Sequence, residues 1–192
     1  SIGNYSGHDR RNPMIAAATL GLGRVIALPD HQWLNMDSLG LEADTGIFYR
    51  NSINWLAKTN DKSIKIVVSS KSSADTWLKN QGYTQVVQSN NYTRELRDAD
   101  ILIGWLGSNL SANKIQAILE FARKGGGLFL CDYGIGYSWW WGDVRSAPGN
   151  QILRYAGIGF ATDWPTDILA VTRASGQTTA GDLLAMLENA RG

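Results

Sequence analysis

The chain has 192 residues, enough for one domain with a substantial core, or for one domain and part of a neighbour. Hydrophobic residues make up 44% and charged residues 18%, as in globular proteins, and the net charge of +1 without a basic run argues against a nucleic-acid partner. No apolar run approaches the roughly 20 residues of a membrane-spanning helix, so we expect no membrane insertion. A single cysteine excludes an internal disulfide framework.

The first third of the chain predicts a hairpin, a loop and a helix. Residues 14–29 contain two apolar, strand-like runs around a glycine-containing turn, which is typical of a β-hairpin. Residues 30–44 are polar and irregular, and we interpret them as a loop that carries His31 and Trp33. The apolar residues of 47–58 recur at helical spacing and predict a helix that packs on a sheet.

The middle of the chain alternates short apolar runs with helical patterns. Strands are predicted at 65–70, 84–89, 100–107 and 127–132, and helices from Ser72 or Ser73 to Lys79, after Ser111, at 151–157 and at 179–190. Strands that alternate with helices indicate an α/β fold with a mostly parallel sheet of five or more strands, flanked by helices. The predicted fold also includes the N-terminal β-hairpin.

The only cysteine, Cys131, ends the last predicted strand, where α/β enzymes present catalytic groups. A nucleophile there needs a tight turn between small residues and an imidazole nearby, and His31 is the candidate partner. The neighbours of Cys131 are Leu130 and Asp132, and an adjacent carboxylate raises a thiol pKa. We therefore expect a buried structural cysteine and no catalytic residue, with Cys131 and His31 as weak candidates.

A metal site has little support in the sequence. His31 could join Asp30 and Asp37 in one loop, but that grouping lacks the spacing of a known metal motif. We expect these side chains to be solvated and the chain to hold no metal.

The aromatic stretch GIGYSWWWG (134–142) predicts a loop over the carboxyl end of the sheet. Three consecutive large side chains cannot share one buried face, so at least one ring should be partly exposed. Such a ring could stack on a sugar, or the rings could form a structural lid, which we favour. The candidate ligand-binding residues are Trp105, Tyr133, Tyr137, Trp139, Trp140, Trp141 and Asp143.

Two groups of segments carry a resemblance to a known family. The chain resembles the opening of a class I glutamine amidotransferase-like domain in three segments, NPMIAAATLGLGRVIALPDHQWL, FYRNSINWLAK and KIVVSS. Within that superfamily, the chain most resembles the divergent version of the domain found beside enhancin-like zinc metallopeptidase domains. Two segments carry this resemblance, GGGLFLCDYGIGYSWWWG and PGNQILRYAGIGF. That version occurs in secreted mucin-degrading bacterial proteins of the AcfD and SslE group and in animal TRP-channel-associated factors. The resemblance runs from about Asn12 to Phe160 and implies a flavodoxin-like, amidotransferase-like fold.

The same resemblance implies a function without catalysis by this chain. Cys131 falls near the family's nucleophile, but the glycines beside it are missing and no histidine follows His31. The implied protein is a non-catalytic accessory domain of a mucin-targeting zinc metallopeptidase, secreted or anchored as a lipoprotein at the bacterial surface. Its expected partners are the other domains of the parent chain, mucin-type glycans or glycoproteins. No cofactor is expected in this chain, and zinc is expected in the parent.

The resemblance also implies a division of the chain. Residues 1–165 would form the amidotransferase-like domain, and residues 166–192 an extension that packs on it or leads to the next domain. Because the chain starts at Ser1 without Met, we expect a piece of a longer protein, and the missing signal peptide says nothing about export.

Two other functions remain open. One is a cysteine-dependent amidase or hydrolase, which requires Cys131 and His31 to converge at the carboxyl edge of the sheet. The other is a carbohydrate-binding module, which requires at least two aromatic residues between Trp105 and Trp141 on one exposed surface. The accessory domain requires neither arrangement.

Overall fold

A computed structural model describes residues 15–41, 43–69 and 72–162 of the chain. The predicted helix at 179–190 and the predicted domain boundary after residue 165 lie outside the described residues, and both stay predictions.

The described residues form a six-stranded sheet in the order β1-β2-β6-β5-β3-β4. Its strands are β1 (Ala16–Leu20), β2 (Gly23–Leu28), β3 (Lys65–Val68), β4 (Gln85–Gln88), β5 (Ile101–Gly104) and β6 (Gly127–Cys131). β1 pairs antiparallel with β2, and every other pairing is parallel. The predicted α/β fold with a mostly parallel sheet and an N-terminal hairpin is confirmed.

Helices cover both faces of the sheet. They are α1 (Met36–Leu39), α2 (Ala43–Ala57), α3 (Ala74–Asn80), α4 (Tyr92–Glu95), α5 (Ala112–Arg123), α6 (Gly134–Trp140) and α7 (Pro148–Leu153). α1, α2 and α3 pack on one face, and α4, α5 and α7 pack on the other. Successive strand residues point to opposite faces, so Leu128 and Leu130 belong to one core, and Phe129 and Cys131 to the other. Such two-sided burial explains why the central strands have no polar alternation.

The prediction of an irregular loop at 30–44 is wrong. The Asp30 side chain accepts a hydrogen bond from the Gln32 amide and starts a 3-10 helix at His31–Leu34, which α1 follows. Leu34 and Met36 are fully buried, and the polar residues around them occupy the outer side of short helical turns.

The prediction of a loop at 134–142 is wrong in conformation, although its position directly after β6 is as expected. Residues Gly134–Trp140 form α6, in which the Tyr137 amide donates to the Tyr133 carbonyl and the Trp141 amide donates to the Tyr137 carbonyl. Gly136 allows the rings to pack, because a Cβ atom there would overlap the Tyr133 ring. The glycine therefore serves close packing and not a sharp turn.

Candidate functional site

The carboxyl edge of the sheet is the candidate site. The helix that follows β3 packs on one face and the helix that follows β5 packs on the other, although the two strands are neighbours. Because the connections from these two strands run to opposite faces of the sheet, a crevice opens at their carboxyl ends, where α/β proteins bind ligands.

Asp132 connects the neighbouring strand ends. Its Oδ1 atom accepts hydrogen bonds from Trp105 Nε1 at 3.0 Å and from the Tyr133 amide at 2.8 Å. Its Oδ2 atom is buried without a hydrogen-bond partner within the described residues. Burial raises the pKa of Asp132 to about 6, and the two hydrogen bonds oppose that rise. A carboxyl group that titrates near neutral pH therefore lies beneath the surface of the site.

His31 packs against the two residues that donate hydrogen bonds to this carboxylate. Its ring centroid is 5.6 Å from that of Trp105 and 6.3 Å from that of Tyr133, and about half of its side chain is exposed. His31 Nδ1 lies 3.4 Å from Asp30 Oδ1. The sheet thus brings His31, Trp105 and Tyr133 together from three separate parts of the chain.

Cys131 lies on the same edge but inside the core. Leu28, three residues before His31, pairs with Cys131 across β2 and β6. The Cys131 side chain is only 1% exposed, and burial, Asp132 and Asp30 together raise its pKa well above the ordinary value. The His31 ring packs against Trp105 and Tyr133. At neutral pH this arrangement holds a protonated thiol away from solvent.

The rings of α6 form a continuous exposed surface, which we call the aromatic surface and define as Tyr133, Trp139, Trp140 and Trp141. Neighbouring centroids lie 6.2 Å apart for Tyr133 and Trp140, 6.1 Å for Trp139 and Trp140, and 5.6 Å for Trp140 and Trp141. The three tryptophans are 60%, 64% and 50% exposed. Trp139 and Trp140 lie in the last turn of α6, and Trp141 directly follows the helix.

Tyr137 and Asp143, the other predicted ligand contacts, have partners in the fold. Tyr137 is buried, and its hydroxyl lies 3.3 Å from the Ser108 carbonyl oxygen, to which it donates. Asp143 begins a 3-10 helix and binds Arg145 through an ion pair of 2.7 Å. Tyr137 therefore anchors α6 from below, and the Asp143 carboxylate is already paired at the protein surface.

A cavity of about 250 Å³ beside Trp105 has no counterpart in the sequence predictions. Its walls include Ser69 from the end of β3, Asn90 from the loop after β4, and Lys114 from the first turn of α5. Ser69 lies inside the predicted strand 65–70, Asn90 follows the predicted strand 84–89, and Lys114 lies in the first turn of the helix predicted after Ser111. Their proximity depends on the strand order and not on spacing along the chain.

Comparison with known proteins places the chain in a family. Residues 5–168 match the model of the family TCAF_N, described as "TRPM8, N-terminal domain", and the chain belongs to this family. A TRPM8 channel-associated factor homolog from Xenopus laevis is 24% identical over 162 residues, which cover 81% of this chain. The chain spans only 16% of the length of that relative. No solved structure matches.

These findings overturn the function implied by the sequence resemblance. The comparisons return TRPM8 channel-associated factors and neither an amidotransferase nor an enhancin-like peptidase. The identification as an amidotransferase-like accessory domain of a mucin-targeting metallopeptidase is therefore wrong, as is the secreted or surface-anchored bacterial location. The relative is named for its association with a channel, which makes its named partner a protein and not a mucin glycan.

Proposed function

We propose that this chain is a non-catalytic, protein-binding domain of a TRPM8 channel-associated factor, and that the aromatic surface contacts the channel. The family match and the name of the Xenopus relative support the class of partner. The single observation that carries the choice of surface is the group of three consecutive, half-exposed tryptophans at and directly after the end of α6.

Exposed tryptophans in this number are unusual on a surface that has no partner. Tryptophan and tyrosine are enriched in the energetically dominant centres of protein interfaces, where they fill pockets on the other protein. Burying the remaining exposed part of one such ring, on the order of 100 Å², contributes about 2 kcal/mol to binding.

The aromatic surface is also held rigid before binding. Tyr133 is fixed by the hydrogen bond from its amide to Asp132, and Tyr137 anchors α6 to the Ser108 carbonyl. A rigid surface loses less conformational entropy on association than a mobile one, so more of the apolar contact appears as affinity. The buried, protonated thiol of Cys131 supports a role in binding over a role in catalysis.

The binding of detergent-solubilised TRPM8 channel to the immobilised 192-residue chain tests the proposal. Trp139→Ala, Trp140→Ala and Trp141→Ala should each weaken binding at least tenfold, since a buried interface tryptophan contributes more than about 1.4 kcal/mol. The unfolding free energy should change by less than about 1 kcal/mol, because the removed rings are largely in solvent.

The matched control is Tyr155→Ala. Tyr155 is 49% exposed and stacks on Arg123, the last residue of α5, whose carbonyl accepts a hydrogen bond from Leu22 at the amino end of the strands. We expect its loss to change channel affinity by less than twofold. If the three tryptophan variants bind as well as the unmodified chain, or if Tyr155→Ala weakens binding equally, the aromatic surface is not the contact.

A further inference from the structure

The amino end of the sheet carries exposed cations around the tip of the hairpin that β1 and β2 form. We call this group the basic surface and define it as Lys58, Arg123, Lys124 and Arg154, all of which are exposed. These residues come from three separate segments of the chain. The fold therefore assembles a basic surface that no basic run in the sequence announces.

Hydrogen bonds hold the hairpin tip beside the first of these cations. Lys58 Nζ donates to the Leu22 carbonyl at 2.6 Å and lies 3.5 Å from the Gly125 carbonyl oxygen. The Leu22 amide donates to the Arg123 carbonyl at 3.1 Å, and Lys124 is the next residue. The hairpin tip, the end of α2 and the end of α5 therefore meet at one place.

Tyr155 joins the fourth cation to this group. The centroid of its ring lies 5.3 Å from the guanidinium carbon of Arg123 and 4.9 Å from that of Arg154. The Tyr155 hydroxyl also accepts a hydrogen bond from Arg154 Nη2 at 3.1 Å. Because stacking on an aromatic ring leaves a guanidinium group charged, the basic surface is continuous from Lys58 to Arg154.

The charges of the basic surface are not neutralised within the described part of the chain. None of its four cations forms an ion pair there with a carboxylate. Each cation lies at or directly after the carboxyl end of α2, α5 or α7, where a helix macrodipole attracts positive charge. A helix end carries only about half an elementary charge, so three helices offset at most about 1.5 of the four charges. The surface therefore stays positive.

Leu22 projects from this surface. It is 73% exposed in the two-residue turn between β1 and β2, and Gly21 supplies the φ of 63° that the turn requires. Such turns favour glycine and small polar residues, so the turn itself does not call for a leucine. A large apolar side chain among four cations suits a partner that offers both negative charge and an apolar layer.

We propose that the basic surface binds the surface of an anionic lipid bilayer, with its cations on the headgroups and Leu22 at the boundary with the acyl chains. Each Lys or Arg near an anionic bilayer strengthens binding about fivefold, and apolar side chains at the boundary add to the affinity. Nucleic acid presents phosphates but no apolar layer for Leu22, so a bilayer is the better match. Such a contact lies at the bilayer surface and needs no membrane-spanning helix.

Co-sedimentation of the 192-residue chain with lipid vesicles at pH 7 tests this surface. Vesicles of equal parts phosphatidylserine and phosphatidylcholine should bind at least tenfold more tightly than vesicles of phosphatidylcholine alone. Raising the sodium chloride concentration from about 0.1 M to about 0.5 M should weaken that binding at least tenfold, because salt screens the attraction. Free phosphoserine at matched ionic strength should not displace the chain, since several cations must bind at once.

Three variants of exposed side chains test the residues. Lys124→Gln and Arg154→Gln should each weaken binding to the phosphatidylserine vesicles about fivefold, and Leu22→Ala should weaken it at least threefold. Urea denaturation should show that all three are as stable as the unmodified chain, because the replaced side chains are exposed.

Two matched controls lie at the opposite ends of the same helices. Lys114→Gln removes a lysine from the first turn of α5, and Leu41→Ala removes a leucine that is 81% exposed two residues before α2 begins. Both should bind vesicles within about twofold of the unmodified chain.

Four results would overturn the proposal. They are equal binding to the two kinds of vesicle, losses in the controls equal to those in the variants, displacement by free phosphoserine, and tighter binding to a polyglutamate peptide than to the phosphatidylserine vesicles. The last result would assign the basic surface to an acidic protein. The vesicles contain no channel, so none of these results depends on the proposed channel contact.

Discussion

The two ends of the parallel strands differ in how their polar groups are used. At the amino end, the Leu22 amide donates to the Arg123 carbonyl at 3.1 Å, and Lys58 Nζ donates to the Leu22 carbonyl at 2.6 Å. At the carboxyl end, Ser69 Oγ and Asp132 Oδ2 are buried without partners within the described residues. The unpartnered atoms near the amino end, Trp55 Nε1 and Tyr83 Oη, belong to aromatic side chains packed in the core, whereas those of Ser69 and Asp132 lie at the candidate site, where a ligand can satisfy them.

The same difference holds for packing. Gly23 at the start of β2 touches the backbone of two neighbouring segments, since a Cβ atom there would overlap the carbonyl oxygens of Ala122 and Gly126. By contrast, the tryptophans of α6 project their rings into solvent. Mutations at the two ends should therefore affect different properties of the protein.

The largest effect on stability is expected at the amino end, for Gly23→Ala. The new methyl group would meet backbone atoms that cannot rotate away, which should lower the unfolding free energy by about 3 kcal/mol or more. Urea denaturation measures the change. Leu22→Ala is the control, because that side chain is 73% exposed and its removal should cost less than about 0.5 kcal/mol. Equal stability of the two variants would contradict the tight packing of this end.

The next effect is a pH dependence at the carboxyl end. Burial raises the pKa of Asp132 to about 6 in the fold, so its contribution to stability is present below about pH 4 and is lost as the pH rises through 6. Asp132→Asn removes this titration. The stability of the variant relative to the unmodified chain should therefore increase by about 2–3 kcal/mol between pH 4 and pH 7.

The pH dependence of stability has to be compared between the Asp132→Asn variant and the unmodified chain, because other carboxylates have lowered pKa values. The stability that these carboxylates contribute is lost as the pH falls and not as it rises. Hydrogen bonds to Ser63, Lys65 and Arg145 lower the pKa values of Asp61, Asp98 and Asp143. Their contributions are common to both proteins and cancel in the difference. Parallel stability curves from pH 4 to pH 7 would show that Asp132 is not desolvated.

A smaller effect is expected for Cys131→Ala. Loss of the buried sulfur atom should lower the unfolding free energy by about 1–2 kcal/mol and leave channel binding unchanged. A thiol reagent at pH 7 should label the folded chain far more slowly than the denatured chain, because the thiol is buried and protonated. Rapid labelling of the folded chain would instead identify Cys131 as an accessible thiolate.

The fold was largely predictable from local patterns, and the errors have specific physical causes. The β-branched run of β3 and the glycine-bounded hairpin each carry their signal within a few residues. The 3-10 helix at His31–Leu34 was missed because polar residues surround Leu34, whose burial depends on distant packing. α6 was missed because Gly134 and Gly136 suggest a turn, whereas their small size accommodates neighbouring groups.

The candidate site was predictable only in part. Exposure of at least one tryptophan followed from three consecutive rings, which no single buried face can hold. The hydrogen bond from Trp105 to Asp132 was not predictable, because the two residues are 27 positions apart in the chain. They come together because β5 and β6 are neighbouring strands. The same holds for Ser69 and Lys114, which share a cavity through the strand order.

Hydroxyl-radical footprinting of the chain with and without the TRPM8 channel tests most directly whether the carboxyl end is the binding end. Oxidation of Trp139, Trp140 and Trp141 should fall at least threefold when the channel is bound. Oxidation of Leu22 and Tyr155, which are exposed near the amino end, should stay unchanged. Protection of Leu22 and Tyr155 with undiminished oxidation of the three tryptophans would contradict the assignment.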